Sequence, residues 1–220
     1  MVIIQTPLVM SVYFVSMELF DDYKNETVES KEFESSGYIS NIVASGDMNE
    51  EIVLSEVSSS VRFDVNQPEK FPAIVLKLDN NITSNVFESG AFVITGGDDF
   101  GDVETAYESL VDELSSILGN ELESTLTIRN IVYTIQYKRD FNLETKVLQL
   151  GLNNCEYEPE QFGAIMYSMP ANVGVNGGHA LIFSSGAVNL VGGNTISDIN
   201  KMKTHIEEVL ELNSDGFYDV

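Results

Sequence analysis

From Val103 onward, apolar side chains recur at Ala106, Tyr107, Leu110, Val111, Leu114, Ile117 and Leu118, a single stripe on a 3.6-residue period. That spacing predicts a long amphipathic helix, with Asp102 placed to cap its start and Gly119 to close its end. Glu104, Glu108 and Asp112 fall on its wet face. Ile199, Met202, Ile206, Val209 and Leu210 draw a second such stripe near the C-terminus. The segments before the first long helix follow a different period. Residues 38–44, 61–65, 71–78, 86–87 and 92–95 are alternating or rich in β-branched and aromatic types, and turn residues bound them. They predict strands. Residues 50–60, with Ile52, Val53 and Val57 on one side, predict a short helix.

The same order then returns. Residues 128–135, 155–157, 164–169, 180–183 and 188–191 read as strands, and 143–150 as a short helix. The words themselves repeat. Asn41-Ile42-Val43 recurs as Asn130-Ile131-Val132, PEKFPAIVL at 68–76 as PEQFGAIMY at 159–167, and FESGAFVITGG at 87–97 as FSSGAVNLVGG at 183–193. The offsets are 89, 91 and 96, so one period near 90 residues carries a short insertion in its second copy. The insertion falls at 170–178, where Gly and Asn mark a loop. A solenoid unit spans only about 20–50 residues. Two fused half-domains are therefore expected, each built as strand, short helix, four strands and long helix.

Consecutive strands joined by short turns imply antiparallel pairing. A helix with one apolar stripe lies on one face of such a sheet. The predicted class is α+β: two pseudo-symmetric repeats in one long twisted sheet of about ten antiparallel strands, with helices on one side only. The other face is left bare and calls for a partner. The expected division is a variable N-terminal segment with an acidic linker (1–36), repeats at 37–124 and 125–213, and a tail at 214–220. Residues 1–20 are apolar, but they contain no Lys or Arg, and Gln5, Pro7, Ser11, Ser16 and Glu18 interrupt them. They read as an extra packed strand or helix, not as a signal peptide or membrane span.

Composition adds a constraint on partners. Acidic residues number 35 against 11 basic ones, a formal net charge of −24. Such a field repels nucleic acid at long range and attracts basic proteins. The single cysteine, Cys155, allows no internal disulfide, and with His179 and His205 it makes no metal-ligand spacing. The acidic run GGDDFGD at 96–102 lacks the spacing of a calcium loop and reads as a turn and helix start. No nucleophile–base arrangement and no phosphate loop is evident. The chain is read as a non-enzyme with no catalytic residue, metal or cofactor.

The doubled pattern resembles the core domain of the TATA-box-binding protein family. Asn-Ile-Val opening each half, EYEPEQF at 156–162, ALIFSSG at 180–186 and Val-Ile-Thr-Gly at 93–96 carry the resemblance, over residues 37–212. It implies a saddle with helices on its convex side, acting as a general transcription initiation factor that binds promoter DNA in the minor groove. In this family, as a property of the family and not a deduction from these residues, four phenylalanines wedge between base steps and bend the duplex. Flexible TA steps deform most easily. The wedge positions fall on Phe71, Phe87, Phe162 and Phe183. Central base contacts fall on Asn41 and Asn130, apolar groove-floor positions on Val43, Val93 and Val132, and a threonine position on Thr95. The acidic turn of Glu158, Pro159 and Glu160 matches the family's contact with transcription factor IIB. A homodimer through the bare face is a further partner the resemblance admits. It implies a nuclear location, or a cytoplasmic or viral-factory one if the source is a prokaryote or a large DNA virus.

Departures from the family pattern are specific. Asn189 and Val191 stand where the first half has Val93 and Thr95. Ala91 and Ala187 replace lysines, Ser168 stands opposite an arginine position that survives as Lys77, and Lys70 and Lys77 are the main basic residues left on the DNA side. Phosphate neutralisation supplies much of the affinity for DNA. The competing expectation is therefore a protein-binding module or regulator that kept the fold and lost most DNA affinity. Glu104, Glu108, Asp112 and Glu113 make the long helix acidic where relatives are basic, so any partner there must be basic.

Overall fold

The computed structural model describes residues 35–210. The packed element expected within 1–20, the acidic linker up to residue 34 and the tail at 214–220 lie outside the described residues. The first repeat runs β1 (Ser35–Asp47), α1 (Leu54–Ser60), β2 (Asp64–Asn66), β3 (Ala73–Lys77), β4 (Thr83–Phe87), β5 (Ala91–Gly96) and α2 (Phe100–Leu118). The second runs β6 (Thr125–Tyr137), α3 (Leu143–Leu150), β7 (Cys155–Glu156), β8 (Ala164–Ser168), β9 (His179–Phe183), β10 (Ala187–Gly193) and α4 (Ile196–Val209). The ten strands form one open antiparallel sheet in the order β2-β3-β4-β5-β1-β6-β10-β9-β8-β7. The described residues divide into two compact units, one holding 42–128 and the other 35–41 with 129–210.

In the first unit, alternation along the strands sorts side chains onto two faces. Ile42, Ala44, Ile74, Leu76, Val86, Phe92 and Ile94 are buried. Val103, Leu110 and Leu114 of α2 are buried with them, and the Phe92 ring stacks on Tyr107 at 6.0 Å between centroids. Burying each such large side chain stabilises by roughly 1.5–3 kcal/mol. The residues between, Val43, Val75, Asn85, Val93 and Thr95, are only half-buried. Among the described residues no helix covers them, so the described helices of this unit occupy one face. The second unit follows the same rule. Ile131, Ile135, Ile165, Ile182, Val188 and Leu190 are buried together with Ile199, Met202 and Ile206 of α4, while Val132, Thr134, Met166, Leu181 and Asn189 stay half-buried.

Three expectations need correcting. The side chain of Asp99, not Asp102, caps α2, accepting from the Gly101 N–H at 2.7 Å. The helix begins one turn early because Phe100 is itself buried, and Asp102 instead accepts from Asn80 Nδ2 at 2.9 Å. Glu104 is buried and not on the wet face, because it flanks the stripe between Val103 and Tyr107. β1 and β6 each extend to 13 residues, well beyond their apolar centres. Gly119 closes α2 in the left-handed conformation, φ 74°, as the sequence implies.

Candidate nucleic-acid interface

Each repeat ends its outer strands in two tight turns, and each turn presents a phenylalanine. In the first repeat, the Phe71 N–H donates to the Pro68 carbonyl at 3.1 Å, closing a proline turn. In the second, the Phe162 N–H donates to the Glu158 carbonyl at 2.9 Å. Phe87 and Phe183 head the Ser-Gly turns, with Gly90 and Gly186 donating back to their carbonyls at 3.0 and 3.2 Å. The two glycines are required on two counts. Their φ values are +89° and +81°, and an added Cβ would lie 2.2 Å from the Glu50 carbonyl oxygen and 2.1 Å from that of Arg139.

These turns bring the rings together in pairs. Phe71 meets Phe87 edge-to-face at 6.0 Å between centroids, and Phe162 meets Phe183 in the same way at the same distance. Phe71 is 40% exposed and Phe162 47%, although large aromatic rings ordinarily sit in cores. Two equivalent aromatic pairs thus form, one on each repeat, each with one exposed and one half-buried ring.

Between turn and centre, the open faces are laid out in cross-strand rows. In the first unit one row reads Val75, Asn85, Val93, Ser45 and the next Lys77, Thr83, Thr95, Val43. In the second unit the matching row reads Met166, Leu181, Asn189, Thr134. Ser168, His179 and Val191 form the next row, and the Ser168 hydroxyl lies 3.3 Å from His179 Nδ1. These rows interleave aliphatic side chains with small hydrogen-bonding ones. Asn130, half-buried on β6, accepts from the Gly192 N–H through Oδ1 at 2.7 Å. Its remaining amide hydrogens are donors, the complement of the acceptors that A·T pairs present in a minor groove. Asn41 is half-buried on β1, as is Val132 on β6.

Charge on this face is low. Lys70 is exposed in the first proline turn, and Lys77 is exposed at the end of β3 with Asp64 opposite it on β2. Glu158, Pro159 and Glu160 are exposed in the turn leading to β8, where Gln161 Nε2 donates to the Glu158 carboxylate. Cys155 is partly buried, and burial pushes its thiol pKa up, away from nucleophilic use. Sequence reasoning overlooked Asn85, Ser40 and Thr134. Strand parity was the available signal for Asn85 and Thr134, which lie two residues from Phe87 and Val132, whereas Ser40 is an odd number of residues from Asn41 and Val43 and parity could not have found it.

A repeated sheet with its described helices on one face of each unit and aromatic pairs at its turns has the build of a binding protein. The comparisons say of which kind. The family model described as "Transcription factor TFIID (or TATA-binding protein, TBP)" matches residues 37–117 and 125–212. The TATA-box-binding protein of Archaeoglobus fulgidus is 33% identical over 174 residues, covering 78% of this chain and 93% of its own length. TATA-box-binding protein 2 of Methanosarcina mazei is 36% identical over 167 residues, covering 75% and 89%. The solved structure of Methanococcus jannaschii TBP matches with a TM-score of 0.68 at 27% identity, covering 80% of this chain and 99% of that one. The chain belongs to the TATA-box-binding protein family, a non-enzymatic family of general transcription initiation factors.

Proposed function

We propose that this protein binds promoter DNA through the open sheet face, inserts its phenylalanine pairs into the minor groove and bends the duplex, and recruits a transcription-factor-IIB-like partner through Glu158, Pro159 and Glu160. The paired rings at the turns, one of each pair exposed, carry this reading. Phe71 and Phe162 are exposed beside Phe87 and Phe183, where hydration is costly and only an apolar ligand returns the loss. An aromatic ring that enters a base step replaces part of the stacking that the kink removes, and the bent groove then meets more of the sheet.

The test is a titration of TATA-containing and scrambled duplexes, measured by anisotropy at low salt. Phe162→Ala and Phe183→Ala are expected to weaken TATA binding roughly tenfold or more, about 1.4 kcal/mol, and to reduce the bend seen by energy transfer between end labels. Unchanged affinity and bend in both variants would refute wedging. Adding a factor-IIB-like protein should produce a ternary complex that Glu160→Lys diminishes.

One observation favours the second reading, a protein-binding module. Ala91, Ala187 and Ser168 leave the DNA side with few cations on a chain of net charge −24. That reading expects no duplex binding at low salt together with retained capture of the factor-IIB-like protein.

A further inference from the structure

The two open faces each place an asparagine in the middle row, but on different strands. In the first unit Asn85 is on β4 and Val93 occupies the neighbouring position on β5. In the second unit the amide has moved inward to Asn189 on β10, directly opposite Thr134 on β6. Thr134 Oγ1 lies 3.0 Å from Asn189 Oδ1 and 3.0 Å from the Ser40 hydroxyl, which itself donates to the Val132 carbonyl at 3.3 Å. A hydroxyl has one hydrogen to give. It serves either Asn189 or Ser40, so an acceptor lone pair remains within the trio whichever way it turns. The corresponding place in the first unit pairs Val93 with Ser45.

This difference bears on base pairs. In the minor groove, A·T and T·A pairs present only acceptors, whereas a G·C pair adds the guanine N2 amino donor. Pressed against valine methyls, that donor loses water and gains no partner. An amide supplies both a donor for the A·T acceptors and an acceptor for the guanine amino group. We infer that Asn189, seated by Thr134, is a specificity-determining residue that lets the second repeat's side of the DNA site accept G·C pairs, while Val93 restricts the first repeat's side to A·T pairs. The inference rests on the DNA-binding reading above. It makes the preferred site compositionally asymmetric, and so gives the complex a direction on the promoter.

The experiment steps single G·C replacements through an A·T-only duplex and measures the affinity ratio to the parent duplex at each position. The wild-type protein is expected to lose less than about threefold in one half of the site and roughly tenfold to a hundredfold in the other. Asn189→Val should raise the penalty in the tolerant half to that of the other half. Val93→Asn should carry tolerance across to the restricted half, a gain that a merely misfolded variant cannot imitate. Equal penalties in both halves for the wild type, or ratios that neither variant moves, overturn the inference while leaving DNA binding intact. Failure to bind the A·T-only duplex at all overturns the DNA-binding reading, and this inference with it.

Discussion

Tyr137 shows what a buried polar atom does when nothing satisfies it. Its ring is buried against Phe141, and its hydroxyl makes no hydrogen bond of good geometry although the Glu207 carboxylate lies near. Burial, reinforced by Glu207, pushes its pKa far above the ordinary tyrosine value of 10.0. Below that value the phenol is protonated in both the folded and the unfolded chain. Above it the unfolded chain sheds the proton and the folded one cannot. Stability is therefore fully present below about pH 10 and falls as pH rises beyond it, by up to about 1.4 kcal/mol per pH unit. Tyr137→Phe should be within about 1 kcal/mol of wild type near pH 7, since it removes a hydroxyl that makes no well-formed hydrogen bond and lies only near the Glu207 carboxylate. Between about pH 8 and pH 11, by urea unfolding, the variant should lose less stability than the wild type. Tyr107, Tyr133, Tyr167 and Cys155, also raised by burial, contribute to the decline that remains. An identical decline in both proteins would refute the assignment.

The turns that carry the phenylalanines depend on glycine more than on the rings themselves. Gly90 is held by Met48 N–H donating to its carbonyl at 3.0 Å, and Gly186 by Tyr137 N–H at 3.0 Å, so each turn is locked to the strand end beside it. Gly90→Ala or Gly186→Ala would force a Cβ into a backbone carbonyl at positive φ, costing about 1–3 kcal/mol or more by thermal unfolding. Gly119→Ala, also at positive φ but with nothing within 4 Å of its Cβ, should cost only about 1 kcal/mol. Equal losses at all three would show that the close approach is unimportant. Elements themselves were legible to different degrees. α3 spans the predicted 143–150, because Asn142 accepts from Thr145 N–H at one end and Gly151 stops it at the other. β2 and β7 shrink to three and two residues, since each pairs only with the strand inside it. β1 and β6 grow past the C-terminal limits of their apolar centres because β5 pairs with β1 as far as Asp47 and β10 with β6 as far as Gln136.

The doubling of the chain and its net charge pull against each other. A two-repeat sheet offers DNA two sets of contacts, while a net charge of −24 opposes approach. With Lys70 and Lys77 the main cations on that side, the logarithm of affinity should fall against the logarithm of salt with a slope of about −2. That is a loss of roughly tenfold between about 50 and 200 mM salt, where six to ten phosphate contacts would cost about a thousandfold or more. A slope near −6 would mean that other cations reach the backbone.

Much of this protein is written in its chain, because a period near 90 residues, strand alternation and the helical stripe from Val103 are local or repeated signals. They were enough for two repeats and a one-sided sheet, while the phenylalanine positions came from the resemblance to the family. Facts that depend on what stands across a strand were not available there. That Phe71 reaches Phe87, that Glu104 is covered, and that Thr134 sits between Ser40 and Asn189 follow from register and packing between residues up to 94 apart, and only the folded sheet sets them.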